Sequence, residues 1–365
     1  MPLFHGIQRT AFAAPAGGGF GGGGGSVKKS KKKAKTKKSK SLLSEVEVVK
    51  TSPKKSNLDT PDNTQAGEPK LDKWGLPVPT TDDIFPPMPP GTELISVDNT
   101  KEEVTLSDIS NALKNHIELS KLTERFDEQG VEKGDPKGRP PMKLGLLHRS
   151  PPVLTVENFF TKEECEQVQN VALASDENGP VQVQSATFSA LAQSKRTSTS
   201  WFCYYSQVPT LLAKARHVLG IPTLEQMEEP QIVRYKVGEE FSWHYDEVPG
   251  PQLKNGGQRL ATLLVYLNDV AQGGGTVFRD LQDGSTGEML TMRPKLGSAL
   301  LFFPAFGDGT PDDRTLHKGE VAGDEKWIIQ MWIHERGYVA SLPESNYQES
   351  AQQSVNDVAA SLGYR

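Results

Sequence analysis

The sequence predicts a mainly β fold with flanking helices, a double-stranded β-helix (jelly-roll) core and a disordered N-terminal tail. Three observations carry this. Between about residues 228 and 336, short apolar runs alternate with Gly and Pro turns and no helical pattern separates them, as in a sandwich or barrel. Ahead of that stretch, from about Pro151, apolar residues recur at helical spacing. The first 74 residues are dominated by Gly, Lys, Ser and Pro, with too few apolar groups to build a core.

In chain order, the tail opens with "MPLFHGIQRTAFAAPAGGG", which carries an Arg, small residues and no acid, the composition of an organelle transit peptide. A Gly-rich tract follows (15–26), then "KKSKKKAKTKKSKS" (28–41), which contains no acid. The whole chain of 365 residues has a net charge of −5, so the remainder is acidic and the basic charge is segregated in the tail. Such a run is either a solvated tail or a nuclear signal and nucleic-acid tether. No stretch of apolar residues is long enough to span a membrane. Only two cysteines occur, Cys165 and Cys203, which reads as two buried free thiols in a reducing compartment, with a single bridge as the alternative. An organelle or the nucleus is expected over the cell exterior.

Residues 75–150 read as a Pro-rich linker plus a helix over 105–130, with Leu106, Ile109, Leu113, Ile117 and Leu119 near helical spacing, Thr105 or Ser107 as cap and Gly130 as stop. The main folded domain is expected over 151–336. It opens with a strand and a helix started by the Thr161/Glu164 capping box. A β-rich run at 196–205 and an amphipathic helix at 208–220, ended by Gly220, come next. Strands are expected at 231–237, 260–267, 276–279, 288–293, 298–303, 314–321 and 326–334, and residues 337–365 form a C-terminal tail.

The chemistry begins at "FSWHYDEVPG" (241–250). His244 and Asp246 are two apart, so on an extended backbone both point to one face. His317, on a later strand, completes two imidazoles and a carboxylate, the facial triad of non-haem Fe(II) oxygenases. Three protein ligands leave adjacent positions open for a co-substrate and O2, whereas a structural zinc site wants four. Lys326 heads the alternating run "KWIIQMWIH", which puts Ile328, Gln330, Trp332 and His334 on its own face and Trp327, Ile329, Met331 and Ile333 on the other. It is either a strand-end charge reaching water or a cation at the bottom of an apolar pocket, where it would pair with the distal carboxylate of a dicarboxylate.

"RYKVGEEFSWHYDEVP", "NGGQRLATLLVYLNDVAQGGGTVF", "PKLGSALLFF", "TLHKGEV" and "EKWIIQMWIHERG", in that order, resemble the blocks of the prolyl 4-hydroxylases of the alpha-subunit catalytic-domain type, and "KRTSTSWF" resembles the start of their substrate loop. The resemblance covers about 150–336. It implies a dioxygenase that uses Fe(II), 2-oxoglutarate and O2, with L-ascorbate to restore oxidised iron. Proline C4 in a peptide or protein would be hydroxylated as succinate and CO2 form. His244, Asp246 and His317 match the iron ligands and Lys326 the lysine for the distal carboxylate. Tyr235 and Thr276 match co-substrate residues, the latter in "GGGT" where the family has Gly-Gly-Glu-Thr. Arg259 matches an arginine near the peptide, and Phe241 and Trp243 are candidates for the pocket wall or for core packing. Two departures stand out: the interval from His317 to Lys326 is one residue shorter than usual, and the cysteine that commonly follows that histidine is missing.

Two other readings use the same residues. A nucleic-acid demethylating oxygenase would suit the Lys run, but such enzymes hold the distal carboxylate with arginine. A catalytically silent binding module would not need an intact triad and Lys326.

Overall fold

The structure, a computed structural model, describes residues 95–96, 104–117, 122–134, 136, 138–174, 181–184, 196–221, 223–340 and 347–364. The expectations for the tail, the Lys run and the Pro-rich linker lie outside these residues, apart from strand β1 (Ile95–Ser96).

Two sheets stack as the jelly-roll pattern requires. The larger has the order β2-β3-β11-β8-β13-β6-β5-β4, with β2 Lys143–Arg149, β3 Pro152–Glu157, β4 Val181–Gln184, β5 Thr199–Phe202, β6 Gln231–Tyr235, β8 Arg259–Tyr266, β11 Ala299–Phe302 and β13 Lys326–His334. The smaller runs β1-β9-β12-β7, with β10 also on β9, from β7 Phe241–His244, β9 Thr276–Gln282, β10 Met289–Met292 and β12 His317–Gly319. Every strand expected between 228 and 336 is present: β13 matches its apolar run, β9 extends past it, and β12 is reduced to three residues.

Packing follows the alternation of β13. Trp327, Ile329, Met331 and Ile333 join the core under the helices, while Ile328 joins Val233, Leu264, Tyr266, Phe278, Leu300 and Phe302 between the sheets. The helix-side core is covered by α1 (Leu106–Leu113), α3 (Lys162–Leu173), α4 (Pro209–Leu219) and α5 (Tyr347–Ser361). The Thr161/Glu164 capping box starts α3, and Gly220, at φ 72°, ends α4 in the left-handed region that favours glycine.

Three expectations change. The single helix over 105–130 is two short ones, α1 and α2 (Leu122–Arg125). Thr105 caps α1, which stops after Leu113 because His116 turns back onto Phe306 and Asp312. The sheet begins before Pro151, since β2 pairs along β3; burial alternates along "KLGLLHR" with the polar His148 turned inward, which hides the strand in the sequence. The C-terminal stretch carries helix α5, whose Ala351 and Val355 are buried.

Candidate metal centre and co-substrate pocket

Two neighbouring strands of the smaller sheet bring the histidines together. His317 on β12 is the direct register partner of His244 on β7, and their ring centroids are 4.2 Å apart. Asp246 lies two residues past the end of β7. Its carboxylate oxygens stand 3.7 Å from His244 Nε2 and 3.8 Å from His317 Nε2. One ligand atom from each of the three falls within 4.8 Å of the others. Atoms bound to one ion at about 2.1 Å sit roughly 3–3.5 Å apart, so small side-chain shifts would close this set on a metal.

The surroundings fix the donors. His244 Nδ1 donates to the carbonyl of Ser242 at 2.8 Å and His317 Nδ1 to that of Thr315 at 2.9 Å. A carbonyl only accepts, so each Nδ1 carries the proton and each Nε2 turns its lone pair to the centre. Burial, helped by His317, pushes His244 down to about 3 and keeps it neutral. Burial works against ionisation of Asp246, but its neighbours, the two imidazoles and the Arg259 guanidinium, outweigh it and hold the carboxyl below its ordinary value. Thr262 Oγ1 donates to Asp246 Oδ2 at 2.8 Å. Two neutral imidazoles and one carboxylate, each oriented from behind, suit a divalent first-row metal and leave coordination positions open.

Lys326 sits at the head of β13, across from Tyr235 in register and 2% exposed. Its Nζ lies 4.9 Å from the ring of Tyr235 and 5.7 Å from that of Tyr266, and forms no hydrogen bond or ion pair among the described residues. Burial pulls it down to about 7, against the charge of Glu320. Thr276 Oγ1 and the Tyr266 hydroxyl share a 2.9 Å hydrogen bond, so Thr276 joins this group. Burial raises both Tyr235 and Tyr266, which stay protonated. Gly274 and Gly319 line the lysine: a Cβ on the first would come 3.3 Å from Lys326 Cδ and one on the second 3.9 Å from Nζ. The shorter interval after His317 still delivers Lys326 to this pocket, with residues 320–325 joining β12 to β13.

The wall candidates separate. Gly319 pairs with Phe241 and His317 with His244, so three steps on β7 match two on β12. That bulge turns Phe241 to the metal side, where its ring stacks on His244 at 3.6 Å. Trp243 faces the other way, under Lys318 Nζ at 4.9 Å, and does not line the centre. Arg259 is 3% exposed and bound by Glu228 through Nε at 2.8 Å and Nη2 at 2.6 Å, with Nη1 on the Asp246 carbonyl at 3.3 Å.

Sequence reasoning missed three residues here. Thr262 and Glu228 carry no local motif. Arg196, within "KRTSTSWF", is held by Ser198 and Ser200 and lies 5.0 Å over Phe241; a cation among serines at a strand start was the available signal.

These features fit an Fe(II) oxygenase site, and residues 230–334 match the family model described as "2OG-Fe(II) oxygenase superfamily". The chain is 30% identical to prolyl 4-hydroxylase 5 of Arabidopsis thaliana over 242 residues, covering 62% of this chain and 83% of the relative. It is 31% identical to prolyl 4-hydroxylase 2 of the same plant over 221 residues, covering 53% and 71%. Among solved structures it is similar to a viral collagen prolyl hydroxylase from Paramecium Bursaria Chlorella virus-1, at 25% identity and a TM-score of 0.38, covering 50% of this chain and 94% of that one. The chain belongs to the prolyl 4-hydroxylase family of 2-oxoglutarate- and Fe(II)-dependent dioxygenases.

Proposed function

We propose that the chain hydroxylates C4 of proline in a peptide or protein, with His244, Asp246 and His317 holding Fe(II) and Lys326 holding the distal carboxylate of 2-oxoglutarate. The observation that carries this is the pairing of a pre-oriented triad with a buried cation that makes no ion pair among the described residues, both facing the space between the sheets. Bound there, Fe(II) supplies O2 activation coupled to decarboxylation of 2-oxoglutarate to succinate and CO2. The chain's own residues orient and exclude water. The Nδ1 bonds keep both imidazoles in the ligating tautomer, and Thr262 fixes the carboxylate. Lys326 offers a charge-assisted bond where water is scarce, with Tyr235 and the Thr276–Tyr266 pair as its neighbours. Phe241 walls the metal side, and Arg196, a half-buried cation over its ring, stands beside it. Ascorbate is the proposed reductant for iron oxidised without substrate.

The test is succinate formation from 2-oxoglutarate by the purified chain with Fe(II) and ascorbate, against proline-rich peptides, free proline and a methylated oligonucleotide. Peptide-dependent succinate with a one-oxygen gain on proline is expected. Turnover driven by the oligonucleotide alone would sink the proposal. Two buried free thiols, Cys165 and Cys203, both pushed up to about 12 by burial, support a reducing organelle or nuclear location, which imaging of a tagged chain would test.

A further inference from the structure

Behind Asp246 lies a buried charged network that the proposed reaction does not use. Glu228, Arg259 and His334 are 3%, 3% and 2% exposed, and come from the segment before β6, the start of β8 and the end of β13. The Glu228 carboxylate accepts from Arg259 Nε at 2.8 Å, Arg259 Nη2 at 2.6 Å and His334 Nε2 at 2.9 Å. The Arg259 guanidinium lies 3.9 Å over Trp332, and its remaining nitrogen, Nη1, donates to the Asp246 carbonyl at 3.3 Å. The backbone locks the same corner, with Glu228 N on the Trp332 carbonyl at 2.9 Å and His334 N on the Gln226 carbonyl at 2.7 Å.

Asp246 needs such help. It lies beyond β7, so no strand ladder fixes its peptide. Its neighbour Val248 is tied to Gln258, whose side chain accepts from Val248 N and donates to the Val248 carbonyl. Gln258 and Arg259, consecutive in the chain, thus fasten the segment that carries the carboxylate. A buried ion pair adds little net stability over apolar residues of the same volume, so stability alone does not account for this one.

We infer that Glu228 is a positioning residue for the metal: it holds Arg259 on the Asp246 carbonyl and so aims the carboxylate at the centre. The inference rests on the reading of Asp246 as a ligand. Losing a partner behind a metal ligand typically weakens metal binding about ten- to a hundredfold. Glu228→Gln keeps the shape and removes the charge that holds the guanidinium. Arg259→Met keeps the apolar volume over Trp332 and removes the bond to Asp246.

The experiment is anaerobic Co(II) titration of the full chain, read by visible absorption, with thermal melting to verify folding. Glu228→Gln is expected to bind Co(II) about tenfold more weakly and to shift the d–d bands. Arg259→Met should do the same and serves alone if Glu228→Gln fails to fold. A folded variant of either kind that binds Co(II) within twofold of the parent, with the same spectrum, overturns the inference. So does Arg259→Met raising only the peptide KM, which would make Arg259 a substrate contact. Asp246→Ala separates the two levels. If it too binds Co(II) normally, the ligand assignment fails; if it loses Co(II) while Glu228→Gln does not, only this inference fails.

Discussion

Lys214 and Lys326 are both sequestered, at 0% and 2% exposure, and their surroundings are opposite. Lys214, on α4, donates to Glu164 at 2.6 Å and to the Phe159 carbonyl at 2.8 Å. Glu164 is also the second half of the α3 capping box, so the pair stitches two helices together. Lys326 faces two aromatic rings, its charge opposed by burial and favoured only by Glu320. A buried cation with its hydrogen bonds made belongs to the core, whereas one without them carries an unmet desolvation cost that an anion from outside would offset.

The largest effect expected from this contrast falls on stability. Lys214→Met leaves Glu164 without its partner and should cost about 3 kcal/mol in denaturant unfolding, with the 2-oxoglutarate KM unchanged. Lys326→Met should do the reverse. The melting midpoint of the ligand-free protein should hold or rise, while the 2-oxoglutarate KM rises at least about tenfold, or about 1.4 kcal/mol. Equal destabilisation by the two substitutions would erase the distinction.

A smaller effect follows from pH. Burial lowers Lys326 in the folded state from 10.5 to about 7, so between those values the unfolded chain binds more protons and ligand-free stability rises with pH. Below about 7 both states hold the proton and the penalty is complete. With Lys326 as the proposed anchor, 2-oxoglutarate would need the ammonium, so its affinity should fall as pH rises through 7, and calorimetry on Lys326→Met should show no such slope. The smallest effect is expected at Glu320, which accepts from Gly275 N at 3.1 Å and pairs with Arg293. Glu320→Gln should move the KM less than about threefold, because the pair is partly exposed and screened. A stability loss as large as that of Lys214→Met would mean Glu320 holds Lys326 as Glu164 holds Lys214.

The sequence distinguished these lysines only in part. The strict alternation of "KWIIQMWIH" put Lys326 on one face with Ile328, and the structure keeps Ile328 between the sheets and Trp327, Ile329, Met331 and Ile333 under the helices. Motif spacing brought forward the triad, Tyr235 and Thr276, because His244, His317, Tyr235 and Thr276 lie on strands and Asp246 follows two residues after His244. Lys214 was invisible as an ion pair because its partner, Glu164, lies on another helix. Phe241 and Trp243 were grouped together since nothing within "FSWH" reveals a bulge, which depends on how β12 pairs with β7. Thr262 and Glu228 act across strands and leave no local pattern, and α1 ends early because of contacts that His116 makes with distant residues.

One feature of the smaller sheet reaches beyond chemistry. β7 is the last strand in its order, laddered to β12 alone among the described residues, with a single bridge from Phe241 to Arg196 on its other side. A border strand held by one ladder is the first to peel. His244 and His317 face each other across that seam, so an ion gripping both would rivet it and close the long stretch of chain between them. Removing the ion would unbutton the hem: amide protons of Phe241–His244 should exchange faster with solvent, while those of β8 and β13, laddered on both sides, keep their rates.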